Sequence, residues 1–237
     1  MDIKIYSADS RGYANHGWLE TYHSFSFAGW YDPGRIHFGA IRVLNDDVVA
    51  GGRGFARHHH DNMEIISIPL EGSLVHEDSM GNKHVIRAND IQVMSAGTGI
   101  FHSEKNGSSS DPVKFLQIWI LPNERDIIPR YHQISLGPDQ RKGQWQLVVS
   151  PKHGGQGAWV NQDVWFFLGE FEKGESTSYR LQSAENGVYL IVLEGEIAVD
   201  NAILKRRDAA AITKVDELKI RIRDDSFVLL IETTLNI

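Results

Sequence analysis

The apolar residues of this chain come in short runs, and no long stretch repeats them at the spacing of an amphipathic helix with clean caps. What recurs is alternating or continuous apolar segments such as Glu64 to Leu70, Asp90 to Met94, Lys114 to Leu121, Val164 to Leu168, Val188 to Leu193 and Phe227 to Glu232. Between them stand clusters with turn chemistry: Asn45-Asp46-Asp47, Met80-Gly81-Asn82, Asn106-Gly107, Gly137-Pro138-Asp139, Asn186-Gly187 and Asp224-Asp225. Many short strands at this spacing predict an all-β chain, a sandwich or a barrel. Short helices are expected only in connections, near Glu124–Ile128 for example. At 237 residues such a chain buries roughly 70–75% of its unfolded surface. It needs no disulfide staple and, with 0 Cys, has none. That absence also excludes a thiolate metal site, a Cys-held iron–sulfur cluster and a cysteine nucleophile, and it is compatible with the cytosol.

A faint internal repeat suggests how the strands are grouped. Leu70-Glu71-Gly72 and Leu193-Glu194-Gly195 each follow one apolar strand and precede another, at an offset of 123 residues. Asp90 and Asp208 follow at an offset of 118. A duplicated β-domain accounts for this, with one unit over 1–122, a linker over 123–143 where Pro129, Gly137 and Pro138 fall, and a second unit over 144–237. Two similar hairpins within one sandwich remain the alternative. The net charge of −7 and the lack of a basic stripe exclude direct nucleic-acid binding, and Lys205-Arg206-Arg207, flanked by Asp208, reads as a solvated turn. No apolar run reaches membrane-helix length and the first residues lack a signal-peptide pattern, so a soluble, cytoplasmic protein is expected.

Histidine carries the chemistry. In His58-His59-His60, strand alternation aims His58 and His60 to one face and His59 to the other. Glu64 lies an even number of residues on and shares that face if the strand stays regular. Roughly forty residues later, His102-Ser103-Glu104 repeats the alternation behind Gly97-Thr98-Gly99, whose glycines allow a tight turn. Bringing the two strands together yields three imidazoles and a carboxylate, a donor set for a divalent first-row metal with positions left for water, O2 or substrate. With no thiolate, iron, manganese, nickel, copper, zinc and cobalt all remain open. The remaining histidines, among them His76, His84, His132 and His153, read as hydrogen-bonded or surface residues, with a reservation for His16, His23 and His37 because they lie among aromatics. Of Trp18, Tyr22, Phe25, Phe27, Trp30 and Tyr31, most should pack a core and some should line a pocket for a flat ligand.

These residues resemble a known family. Gly52-x5-His58-x-His60-x3-Glu64 and Gly99-x2-His102-x3-Asn106 resemble the two cupin motifs. Closer still, His16-Gly17-Trp18-Leu19, Phe25-Ser26-Phe27, Tyr31-Asp32-Pro33, Arg42-Val43-x-Asn45-Asp46-Asp47 and Met94-Ser95-Ala96-Gly97-x-Gly99 resemble the pirins, densely over residues 10 to 122 and loosely beyond. The resemblance implies a bicupin, two β-barrels face to face, with metal ligands His58, His60, His102 and Glu104 in the first. His59 stands where many pirins have proline, and no ligand is lost by it. At the repeat offsets, His58 and His60 fall on Leu181 and Ser183, and His102 and Glu104 on Ile220 and Ile222, so the second barrel should hold no metal.

The resemblance further implies one divalent metal per chain, iron(II) foremost, and the chemistry of bacterial pirins that open flavonols such as quercetin with O2 and release carbon monoxide. Glu104 would be the catalytic base, taking the proton of the flavonol 3-hydroxyl. Two rivals stay open: a metal-binding regulator or redox sensor acting through a protein partner, and an isomerase or oxidase of another small molecule, since one fold hosts many chemistries.

Overall fold

The computed structural model describes residues 1–151 and 157–237, so His153 lies outside the described residues. The described chain is almost entirely strand, with only two 3-10 turns, Ala8–Ser10 and Pro138–Arg141. No helix forms at 124–128. That segment is short and bracketed by Pro122 and Pro129, and its backbone is used elsewhere: the Thr98 N–H donates to the Ile127 carbonyl at 2.9 Å.

A seven-stranded sheet runs in the order Arg130–Ser135, Asp90–Ser95, Glu64–Glu71, Val113–Ile120, Ile41–Val49, Leu19–His23, Gly12–Asn15. A four-stranded sheet, Gly54–His60, Ile100–Asn106, Ser73–Asp78, Lys83–Arg87, closes over it to make the first barrel. A nine-stranded sheet makes the second, its long strands being Gly187–Val199 and Glu217–Thr233. Both long strands run through positions where the sequence suggests a break, a turn at Asp224-Asp225 and a junction between strands at Leu193-Glu194-Gly195. Gly195, at φ 88, and three register shifts absorb Leu193-Glu194-Gly195 as bulges, and Asp224-Asp225 lies within the pairing.

Alternation sorts the side chains into layers. Ile66, Ile68, Leu116, Ile118 and Ile120 point out of the first barrel and meet Val148, Phe166, Leu168, Leu229 and Ile231 of the second in one core, which sets the barrels face to face. The second barrel is filled by Val188, Leu190, Val192, Leu218, Ile220, Ile222 and Leu230. The first barrel's interior instead mixes apolar patches with polar residues, and there the site is found.

Two strands cross the expected division. Arg130–Ser135, within the expected linker, pairs with Asp90–Ser95 in the first barrel, and Asp2–Tyr6 pairs with Ala209–Thr213 in the second. Asp46 ties the halves together, 3.2 Å from Arg207 Nε and 3.3 Å from Arg11 Nη1.

Candidate metal centre

Strand Ile100–Asn106 lies antiparallel to Gly54–His60, with His102 opposite His58 and Ile100 opposite His60. Paired residues share a face, so all three imidazoles project into the barrel; their ring centroids stand 4.4, 4.7 and 5.0 Å apart. The turn that delivers His102 depends on its glycines. A Cβ on Gly97, at φ 49, would sit 2.0 Å from the Ile127 carbonyl oxygen, and one on Gly99 would sit 2.8 Å from His59 Nε2. His59 points the other way, its side chain 44% exposed and its ring tilted against Phe101 at 4.8 Å between centroids.

The donor set fits a divalent metal. His58 Nδ1 lies 2.8 Å from the Ala56 carbonyl, so Nδ1 carries the proton and Nε2 presents a lone pair. That Nε2 faces His102 Nε2 at 3.0 Å. His60 Nε2 and His102 Nδ1 are buried and have no protein partner. Burial, reinforced by the neighbouring imidazoles, pushes His60 down to about 4 and His102 to about 3, so both are neutral and ligand-competent at pH 7.

Glu104 is 2% exposed and joins the centre from the same strand as His102. It forms a cluster with His102 and with His76, which lies opposite it on strand Ser73–Asp78. Ligand atoms within 4.8 Å of one another therefore make two overlapping trios, His58–His60–His102 and His76–His102–Glu104, with His102 common to both. Among the described residues both groupings lie in the first barrel.

His76, expected as a hydrogen-bonded or surface residue, is hydrogen-bonded but also stands beside the centre. It is fully buried and its Nε2 lies 3.1 Å from Asp78 Oδ2, which fixes the ring beside His102. The sequence signal for it, His76-x-Asp78 on one strand face, gains meaning only through the pairing with Glu104. Glu64 does not share the imidazole face, because the strand does not stay regular. The left-handed Asn62, at φ 44, breaks the strand before it, and Glu64 turns toward the other barrel. There it accepts from Ser95 Oγ at 2.8 Å and Asn161 Nδ2 at 3.0 Å, away from the imidazoles.

Two further buried residues hold Glu104. The Ser67 hydroxyl stands 2.8 Å from both Glu104 Oε1 and Gln117 Oε1, and Gln117 Nε2 donates to Glu104 Oε2 at 3.2 Å. Ser67 has one proton to give. If Glu104 is ionised, Ser67 gives it to Oε1. If Glu104 is protonated at Oε1, it donates to Ser67, and Ser67 donates onward to Gln117. The network thus accommodates the carboxyl in either state.

In front of the centre lies a cavity of about 630 Å³, walled by Trp18, Leu19, Phe27, Phe55 and Trp119 and reached by His58, His60 and Glu104. Of the early aromatics, Trp18 and Phe27 line it, Phe25 packs in the core between the barrels, and Tyr31 is exposed. His16 and His23 also line it, whereas His37 caps the Gly39 carbonyl at 3.0 Å.

Residues 6–120 match the family model described as Pirin, and residues 147–233 match the one described as Quercetinase C-terminal cupin domain. The chain is 42% identical over 230 residues to a protein of Escherichia coli K12 named quercetin 2,3-dioxygenase, covering 97% of this chain and 98% of that one. It is 35% identical to a pirin-like protein of Caulobacter vibrioides, covering 94% and 96%. The crystal structure of the bacterial pirin YhhW from Escherichia coli, in complex with nickel(II), superposes with a TM-score of 0.92 at 39% identity, covering 98% of this chain and 99% of that one.

Proposed function

We propose, from the fact that this chain belongs to the pirin family, that it is a metal-dependent dioxygenase that opens the heterocyclic ring of flavonols such as quercetin. One flavonol and one O2 would give one depside and one carbon monoxide. The observation that carries this reading is the cavity: three clustered imidazoles and a buried carboxyl at one end of an aromatic-walled space sized for a flat, multi-ring ligand.

His58, His60, His102 and Glu104 would hold the metal. Iron(II) is our first choice, and nickel(II), manganese, copper, zinc or cobalt suit the same donors. A divalent metal bound there supplies Lewis acidity, which lowers the pKa of a hydroxyl on the ligand. The chain's own residues do the rest. Glu104 accepts the 3-hydroxyl proton at Oε1 and hands its hydrogen bond to Ser67, which turns its own proton to Gln117 Oε1. Asp78 fixes His76 against the centre. Trp18, Phe27 and Trp119 orient the flat rings and exclude water from the reacting face.

A cytoplasmic setting agrees with the lack of cysteine, and no helix among the described residues is long and apolar enough to cross a membrane. Incubating the purified, metal-containing protein with quercetin and O2 tests the reading. Loss of quercetin with stoichiometric carbon monoxide is expected. A fully metallated protein that consumes neither quercetin nor O2 would overturn it in favour of a regulatory role through a protein partner.

A further inference from the structure

A row of polar side chains crosses the inner face of the seven-stranded sheet. Ser67 pairs with Gln117, Gln117 with Asn45, and Asn45 with His23. One step along the same two end strands, Asp47 pairs with Thr21. The Ser67 end of the row is engaged by Glu104. At the other end Thr21 hydrogen-bonds the Asp47 carboxyl, but both ring nitrogens of His23, Asn45 Oδ1 and Asp47 Oδ1 are buried without a protein partner. These three side chains are only 2–3% exposed, and all of them line the same cavity as the imidazoles.

Buried polar atoms left unpaired are costly, and native interiors rarely keep four of them together. The second barrel, built from the same kind of strands, fills its interior largely with apolar side chains. From this contrast we infer that His23, Asn45 and Asp47 form a recognition pole for the phenolic hydroxyls of the ligand, opposite the end that meets the metal centre. Asn45 Oδ1 and the Asp47 carboxyl are acceptors and a phenol is a donor, so the chemistry is complementary. His23 adds either role on its ring. Asn45 and Asp47 stand on the strand next to Gln117 and His23 on the one beyond it, about 5 Å and 9–10 Å away at the usual interstrand spacing, so the pole runs outward from Gln117 on the scale of linked aromatic rings. His23 packs edge-on against Phe27 at 5.2 Å, which places one polar group where a ring edge would end. The inference rests on the flavonol reading, since it concerns the far end of the same ligand.

The test is equilibrium binding without O2, on the metal-containing protein, of two probes: quercetin and 3-hydroxyflavone, which carries only the hydroxyl that would meet the metal. The wild type should prefer quercetin by about 10–100-fold, the worth of one hydrogen bond to a charged or buried group. Asn45→Leu and Asp47→Leu should lose most of that preference while leaving 3-hydroxyflavone binding unchanged. Should either fail to fold, His23→Phe, which keeps the ring and its contact with Phe27, carries the same expectation. Equal binding of the two probes to the wild type, or a preference that survives in the folded variants, would overturn the pole and leave the flavonol reading standing. If neither probe binds the wild type, the flavonol reading falls and the pole with it.

Discussion

Glu104→Gln separates the two jobs assigned to this carboxylate. Glu104 is 2% exposed, with Ser67 Oγ at 2.8 Å from Oε1 and Gln117 Nε2 at 3.2 Å from Oε2. A glutamine placed with its amide nitrogen toward Ser67 donates to that hydroxyl, Ser67 donates to Gln117 Oε1, and the remaining oxygen still accepts from Gln117 Nε2. The substitution therefore reproduces the hydrogen-bond pattern of protonated Glu104 and should fold with little loss of stability. Three imidazoles remain as ligands, so metal content should fall only modestly. Basicity at Oε1 is lost altogether, and a general base is typically worth roughly 10²–10⁴-fold. That corresponds to about 3–5 kcal/mol on the barrier. Metal content by elemental analysis and quercetin consumption are measured on one preparation, and activity is expressed per bound metal. Activity per metal that matches the wild type would refute the assignment of Glu104 as the base.

Three further outcomes follow from the same geometry. His59→Ala should keep its metal, because the side chain points away from the centre; metal loss in that variant would contradict the strand register. Burial pushes the Asp47 carboxyl up to about 7, so the folded protein holds a proton that the unfolded chain releases from about pH 4 upward, and stability falls as pH rises through that window. Asp47→Asn cannot ionise and should raise Tm at pH 8 relative to its effect at pH 4, by at least the roughly 2–4 °C that 1 kcal/mol brings at this chain length; equal effects at both pH values would refute this. Duplex DNA should not bind the protein, given its charge of −7, and a tight, steeply salt-dependent shift in a mobility assay would contradict that.

Local signals carried much of this architecture and stopped at recognisable places. The period-two alternation that made strands legible also put His58 and His60 on one face, because both depend only on the pleat. It failed at Glu64 because a single left-handed residue, Asn62, intervenes and no count of spacing reveals it. Asp224-Asp225 carries turn chemistry and Leu193-Glu194-Gly195 separates two apolar runs, yet bulges let two long strands pass through them, since cross-strand pairing outweighs local preference. Strand Arg130–Ser135 has few apolar residues because it lies at the sheet edge and is only half-buried. His76, Ser67 and Gln117 were silent for a different reason. Each acquires its role through a partner on another strand, Glu104 in every case, and that pairing is a property of the fold.

His58, His60 and His102, with Glu104, are expected to hold a metal that turnover requires. Metal content per chain, measured by elemental analysis on protein purified without added metal, tests it most directly when the wild type is compared with His58→Ala, His60→Ala and His102→Ala and quercetin turnover is followed on the same preparations. The account predicts about one metal ion per wild-type chain, as one cluster of this donor set can hold, with a sharp fall in metal and turnover together in each variant. Undiminished metal in all three variants would contradict it.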